Sequence, residues 1–254
     1  MTDQPSPQEI SRTHSRLRSA IIAIVWGAGL ELAVNSHRLG LYILIGLTLV
    51  FCFTALWWLR RQALTSAGAI TIIMLMITGP AVISFISGIA LQHLVVISLV
   101  LLSWLAWNER NYHDHPLAGR LPAFINSITL LCVWVTLLST TIYLNVSWWW
   151  MTIVAGVATV GVTMAIWLTS GLGWRTVRWG YLVFAWLGME LFALSWALPI
   201  AIFVRSVLAT TILSLTIQAS RHLWLEQWEA GRGRRYLIIG STICLIVLIT
   251  ARWV

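Results

Sequence analysis

The chain has 254 residues and not one lysine, since all 16 of its basic residues are arginine. That absence removes whole classes of chemistry. A phosphate-binding P-loop requires a lysine, and a Schiff base with retinal or pyridoxal phosphate requires an amine, so ATP-driven motors and seven-helix pigments are excluded. Charge is scarce as well. Charged residues make up 9% of the chain, against about 25% in a soluble domain, and so little charge cannot cover a water-facing surface. The three cysteines, Cys52, Cys132 and Cys244, sit in apolar runs with no CxxC spacing, which argues against a disulfide framework or a zinc site and reads as packing. HExxH, GxSxG, paired aspartates and a two-histidine haem arrangement are all missing, so no cofactor is expected and catalysis has little to stand on.

What the chain does have is hydrophobic length. Hydrophobic residues account for 59% of it and its mean hydropathy is +0.86, which makes lipid the solvent. A span needs about 20 apolar residues at 1.5 Å each to cross roughly 30 Å of hydrocarbon. Dividing the sequence at charges, Pro/Gly clusters and polar runs predicts spans near 18–36, 40–59, 66–86, 88–107, 122–144, 147–169, 177–197, 199–220 and 235–253. The fold class is therefore an all-α, polytopic membrane bundle of about nine transmembrane helices, with eight as the alternative. Two apolar stretches, 66–107 and 177–219, are about twice the bilayer requirement and must fold back, with turns at Ser84 to Gly88 and Ala197 to Ile200. Residues 1–17, rich in Ser, Pro, Gln and Arg, read as a disordered cytoplasmic arm, and 18–254 as one transmembrane domain. The first apolar run continues into Asn35, Ser36 and His37 without a cleavage site, so it reads as a retained helix.

The arginines orient this layout. With the N-terminus cytoplasmic, Arg12, Arg16, Arg18, Arg60, Arg61, Arg110, Arg120, Arg175, Arg178, Arg221, Arg232, Arg234 and Arg235 all fall on the inner side. That bias is the positive-inside rule, and it accounts for the net charge of +8 without nucleic acid. It implies the cell membrane, a cytoplasmic N-terminus and, for an odd number of spans, an extracytoplasmic C-terminus. The basic segment from Arg221 to Arg235 points to anionic lipid headgroups as partners, and a membrane-protein partner or a homo-oligomer is also compatible with the pattern. Tryptophan follows the same levels, because indole prefers the interface. Trp57, Trp58, Trp104, Trp107, Trp167, Trp174, Trp179, Trp224 and Trp228 mark the inner level, and Trp148, Trp149, Trp150, Trp196 and Trp253 the outer. Trp26, Trp134 and Trp186 remain mid-span. Gly27, four residues after Ala23, offers a small-residue contact face, and Pro80 and Pro199 are candidate kinks.

An ionisable group inside a span costs about 2.5–3.5 kcal/mol on insertion scales, so each needs a partner and a reason. There are four: Glu31, His93, Glu190 and Arg205. Counted from the outer turns, all lie about 8–12 Å deep, one polar layer opening outward with Asn35, His37 and Arg38 at its rim. Glu190 and Arg205 are expected to meet across the hairpin of spans 7 and 8, where each would compensate the other's charge. The bland reading is that each group hydrogen-bonds a neighbouring helix and serves packing alone.

Two shorter signals complete the picture. Gly29-Leu30-Glu31-Leu32-Ala33-Val34-Asn35 resembles the Glu-bearing helix of the small proton-pathway subunit of complex I and related hydrogenases. The likeness covers these seven residues and implies a proton-relay carboxylate at Glu31; the rest of the chain departs from that much smaller family. The loop carrying His113, Asp114 and His115 has metal-type ligands but lacks the i, i+4 geometry of a helical site, so it reads as solvated. The expected function is that of a small transporter, channel or proton-relay subunit built around the polar layer. The alternatives are a membrane-embedded enzyme acting on a lipid-linked substrate, and a structural or assembly subunit.

Overall fold

The computed structural model describes residues 7–36, 40–60, 65–108, 121–172, 174–226 and 230–250. Among the described residues the chain is all helix: α1 (Pro7–Asn35), α2 (Gly40–Arg60), α3 (Ser66–Ser84), α4 (Ile89–Trp107), α5 (Leu121–Tyr143), α6 (Trp148–Leu168), α7 (Trp174–Ala197), α8 (Ile202–Trp224) and α9 (Ala230–Thr250). Eight of these helices, α1 to α8, are long and apolar enough to cross a membrane. The protein is thus a multi-pass helical membrane protein. The remaining helix, α9, opens with Arg232, Arg234 and Arg235, and its apolar run within the helix begins only at Tyr236.

One expectation about the N-terminus changes. Part of the arm foreseen as disordered is helical, because α1 begins at Pro7. Proline is favoured in the first turn of a helix, and extending a helix that lipid already stabilises needs no new nucleus.

The chain divides into two compact units, residues 1–125 and 126–254. In the first, α1 packs against α2 and α4, and α3 packs against the same two helices. This is an up-and-down four-helix arrangement. The face that α1 buries includes Ala23, Trp26, Gly27, Leu30 and Ala33, a stripe at helical spacing. A methyl group at Gly27 would overlap Val100 of α4, so the absence of a side chain there is what lets the two backbones approach.

Pro80 lies inside α3 and is buried. It cannot donate to the carbonyl four residues earlier, which is Met76. The Thr48 hydroxyl of α2 lies 3.3 Å from the Met76 carbonyl and 2.8 Å from Leu44 O, so its single proton is shared between the two and Met76 O receives the longer, weaker bond. In hydrocarbon a carbonyl with no donor costs several kcal/mol, so a neighbouring threonine that serves it has structural value.

In the second unit the core is built from α5 to α8. Leu130, Trp134 and Leu138 of α5, Val162 and Trp167 of α6, Tyr181 and Phe192 of α7, and Leu213 and Ile217 of α8 share one buried cluster. The seam between α6 and α7 is made by small residues: Ala155, Gly156 and Thr159 face Ala185 and Gly188. α6 ends where Gly171 adopts φ +78°, a conformation that favours glycine. Leu172 N then donates to Trp167 O and Gly171 N to Leu168 O, both at 3.1 Å, which closes the helix end as a Schellman turn. α7 has a non-helical residue at Val177, the point where its apolar span begins.

The tryptophans divide differently from their expected levels. Trp148 stacks on Trp149 and on Trp196, at 3.9 and 5.5 Å between centroids, as an interfacial cluster should. Trp107 and Trp167, foreseen as wet anchors, are instead buried at 3% and 0% exposure. Trp167 packs between Tyr181 and Phe184, where the apolar area of the ring outweighs the wetting of its N–H. Of the mid-span three, Trp26 and Trp134 are core residues and Trp186 is exposed. The three cysteines are free thiols.

Candidate functional site

α1 ends and α4 begins at the same end of the first unit, so two residues far apart in sequence reach the same depth. Glu31 lies four residues before the end of α1 and His93 four residues after the start of α4, each about 6 Å from its helix end. His93 Nδ1 and Glu31 Oε2 are 2.7 Å apart. Which partner donates depends on the imidazole tautomer: a carboxylate oxygen without a proton accepts from Nδ1–H, and Nε2 is left as the ring's second position for proton exchange. The two side chains are 37% and 35% exposed. They are neither sealed in the core nor fully surrounded by the surface medium.

Neighbouring amides set the frame. Asn35 donates its side-chain amide back to the Glu31 carbonyl at 2.9 Å, which holds the last turn of α1. Gln92 donates to Ile86 O at 2.7 Å and lies 3.4 Å from Ile83 O, so it serves a carbonyl of the turn that follows α3, while Ile83 O also accepts from Ile86 N at 3.2 Å. Sequence reasoning passed over Gln92. The available signal was an amide beside His93 in the first turn of a span that directly follows a tight hairpin.

The expected Glu190–Arg205 pair does not form. Arg205 donates through Nη1 to Trp196 O at 3.2 Å and through Nε to Ile200 O. It therefore holds one carbonyl of the last turn of α7, where a cation is favoured, and one of the turn that follows. The reason is geometric. The turn extends to Ala201 and α8 begins at Ile202, so Arg205 lies less than one turn inside its helix and its long side chain reaches back to the interface. Glu190 is exposed on α7 and, among the described residues, has no ion pair. It stands two residues, about 200°, from Gly188, which faces α6, so it points away from the core of its own unit. Glu31 and His93 belong to the first unit, Glu190 and Arg205 to the second.

Rim residues His37 and Arg38, and the loop residues His113, Asp114 and His115, lie outside the described residues. Among the described residues no group of three or more His, Cys, Asp or Glu could hold a metal ion.

The chain matches no family model, no curated protein and no solved structure.

Chemically, a carboxylate and an imidazole in direct contact at the membrane margin can exchange a proton without moving either helix. A proton taken up at His93 Nε2 yields an imidazolium, whose Nδ1 proton can pass to Glu31. Neither residue has that capacity alone, because a lone carboxylate lacks a neighbouring donor at matched distance.

Proposed function

We propose that this protein moves protons, or a solute coupled to them, across the cell membrane as a small transporter, channel or relay subunit, with Glu31 and His93 as the proton-exchange pair. The observation that carries this reading is the 2.7 Å contact between His93 Nδ1 and Glu31 Oε2 within two apolar spans. Ionisable residues are rare in such spans and mark ion pathways by default. Partial exposure supports it further, since a relay must be loaded from one side. Asn35 and Gln92 act as positioning residues that keep the ends of α1 and α3 in place. The N-terminus is cytoplasmic in this reading, on the strength of the arginine bias; the eight qualifying spans return the chain to the cytoplasmic side before α9, and the C-terminus is extracytoplasmic only if α9 crosses as well. The exchange pair then faces outward.

The test is proton flux into proteoliposomes carrying an internal pH dye, driven by an imposed potential. Glu31→Gln keeps an oxygen that accepts from His93 but cannot take up a proton. It should abolish flux while melting temperature and elution volume stay near wild type, and His93→Gln should do the same. Wild-type flux in folded Glu31→Gln protein refutes the relay.

A further inference from the structure

A second polar system lies on α8, away from the Glu31–His93 pair. Thr210, Ser214, Gln218 and Arg221 recur at spacings of four, four and three residues, so they occupy one face of the helix. Thr210 Oγ1, Ser214 Oγ, Gln218 Nε2 and Arg221 Nε are all buried without a hydrogen-bond partner among the described residues. This is unusual even within the same helix. Ser206, Thr216 and Ser220 donate to the carbonyls of Ile202, Ile212 and Ile217 at 2.9, 2.7 and 2.8 Å, the normal way for a hydroxyl in a span to satisfy itself.

The unmet groups share a chemical character. Gln218 Oε1 accepts from Arg221 Nη1 at 3.4 Å, which turns the amide so that its NH2 remains to donate. Arg221 adds a guanidinium edge and a full positive charge, and no described carboxylate pairs with it. The hydroxyls above can donate too. At Gln218 and Arg221 the unmet atoms, Nε2 and Nε, are both donors, and burying unmet donors costs about 1–3 kcal/mol each, more where charge is involved. Thr210 stands about 16 Å along the helix axis from Arg221, beyond the reach of one anion, but a multi-oxygen anion can accept from Gln218 and Arg221 together, and a guanidinium fork matches phosphate geometry.

Position selects among anions. Arg221 lies three residues before the end of α8 at Trp224, and Trp224 is 45% exposed, as befits a ring at the headgroup level. The His222 ring stacks on Tyr236 of α9 at 5.9 Å between centroids, which holds the start of α9 beside this end of α8. From this cluster we infer that Gln218 and Arg221, backed by Ser214, form an oxyanion site at the end of α8 that takes a phosphate group, either the phosphodiester of an anionic lipid or free phosphate.

The test uses the full chain in phosphatidylcholine nanodiscs, with and without phosphatidylglycerol, and native mass spectrometry to count retained lipid. Wild type should retain phosphatidylglycerol in preference to phosphatidylcholine. Arg221→Gln should lower that retention about tenfold or more, the worth of a charge-assisted hydrogen bond. Arg221→Lys, a point charge without the fork, should fall between, and Gln218→Leu should weaken retention without altering charge. If retention is equal in all variants, a titration of inorganic phosphate into phosphatidylcholine nanodiscs, read by tryptophan fluorescence, decides the source. A saturable response lost in Arg221→Gln assigns the site to free phosphate. Equal lipid retention together with no phosphate response overturns the proposal. Melting curves of the conservative variants Arg221→Lys and Gln218→Leu separate loss of binding from loss of fold.

Discussion

Replacing Gly188 by alanine should loosen the second unit at the α6–α7 seam. A Cβ at Gly188 would lie 2.8 Å from Thr159 Cβ and 3.3 Å from the Ala155 carbonyl oxygen, whereas carbon atoms rest at about 3.5–4.0 Å. The helices must part by nearly an ångström, and a gap of that size forfeits a quarter to a half of each contact's attraction along the seam. Gly156 cannot absorb the shift by closing elsewhere, since its own Cβ position is 3.0 Å from Ala185 O. Overpacking of this kind costs about 1–3 kcal/mol, and alanine recovers up to about 1 kcal/mol through helix propensity. A matched control exists in the first unit, because nothing lies within 4 Å of a Cβ at Gly46. Gly46→Ala should hold or raise the melting temperature in detergent, while Gly188→Ala should lower it by several degrees, at about 2–4 °C per kcal/mol for a chain of this length. Thr159→Gly in the Gly188→Ala background moves the bulk to the other helix, so the double variant should be less destabilised than the two single effects added together. Gly188→Ala melting at or above Gly46→Ala would refute the close-packed seam.

Three other outcomes follow from contacts described above. Thr48→Val keeps the shape of the side chain but withdraws the donor near Met76 O, and should lower the thermal stability by about 1 kcal/mol; an unchanged melt would mean that Met76 O is served otherwise. A double-mutant cycle of Glu190→Gln and Arg205→Gln should give a coupling below about 0.5 kcal/mol, as expected for residues sharing no partner, and a larger coupling would restore the ion pair. Within that cycle Arg205→Gln alone should destabilise, because the Trp196 and Ile200 carbonyls lose their cation, while Glu190→Gln should be neutral or stabilising in lipid-like detergent.

The spans were legible because lipid imposes a length and a composition that the chain cannot disguise. The expected 88–107 became Ile89–Trp107, and 147–169 became Trp148–Leu168. The hairpin turns fell where Ser84 to Gly88 and Ala197 to Ile200 placed them, although the second ran one residue further. Gly27 was readable as a packing residue from its spacing alone. What resisted reading was azimuth. Counting residues from a turn gives depth, and on depth Glu190 and Arg205 looked like partners, but the direction of Glu190 is set by Gly188 seating against α6 two residues earlier. The tryptophans fail for a related reason, since Trp167 at the end of a span can face lipid or core and only Tyr181 and Phe184 decide which. Depth and azimuth happened to agree at Glu31 and His93, so that contact could be anticipated as a level but not as a bond.

The Thr48–Met76 contact has a consequence for how the first unit can move. Sliding α2 along α3 by one turn, about 5.4 Å, would carry the hydroxyl past the carbonyl that Pro80 leaves without its usual donor. No other α2 register offers a threonine at that height, because Thr54 lies nearly two turns further along the helix and bonds Val50 O. Proline, usually taken as a point of weakness in a helix, here acts as a detent: it gives α2 and α3 one favoured alignment and makes axial slippage between them the costly motion.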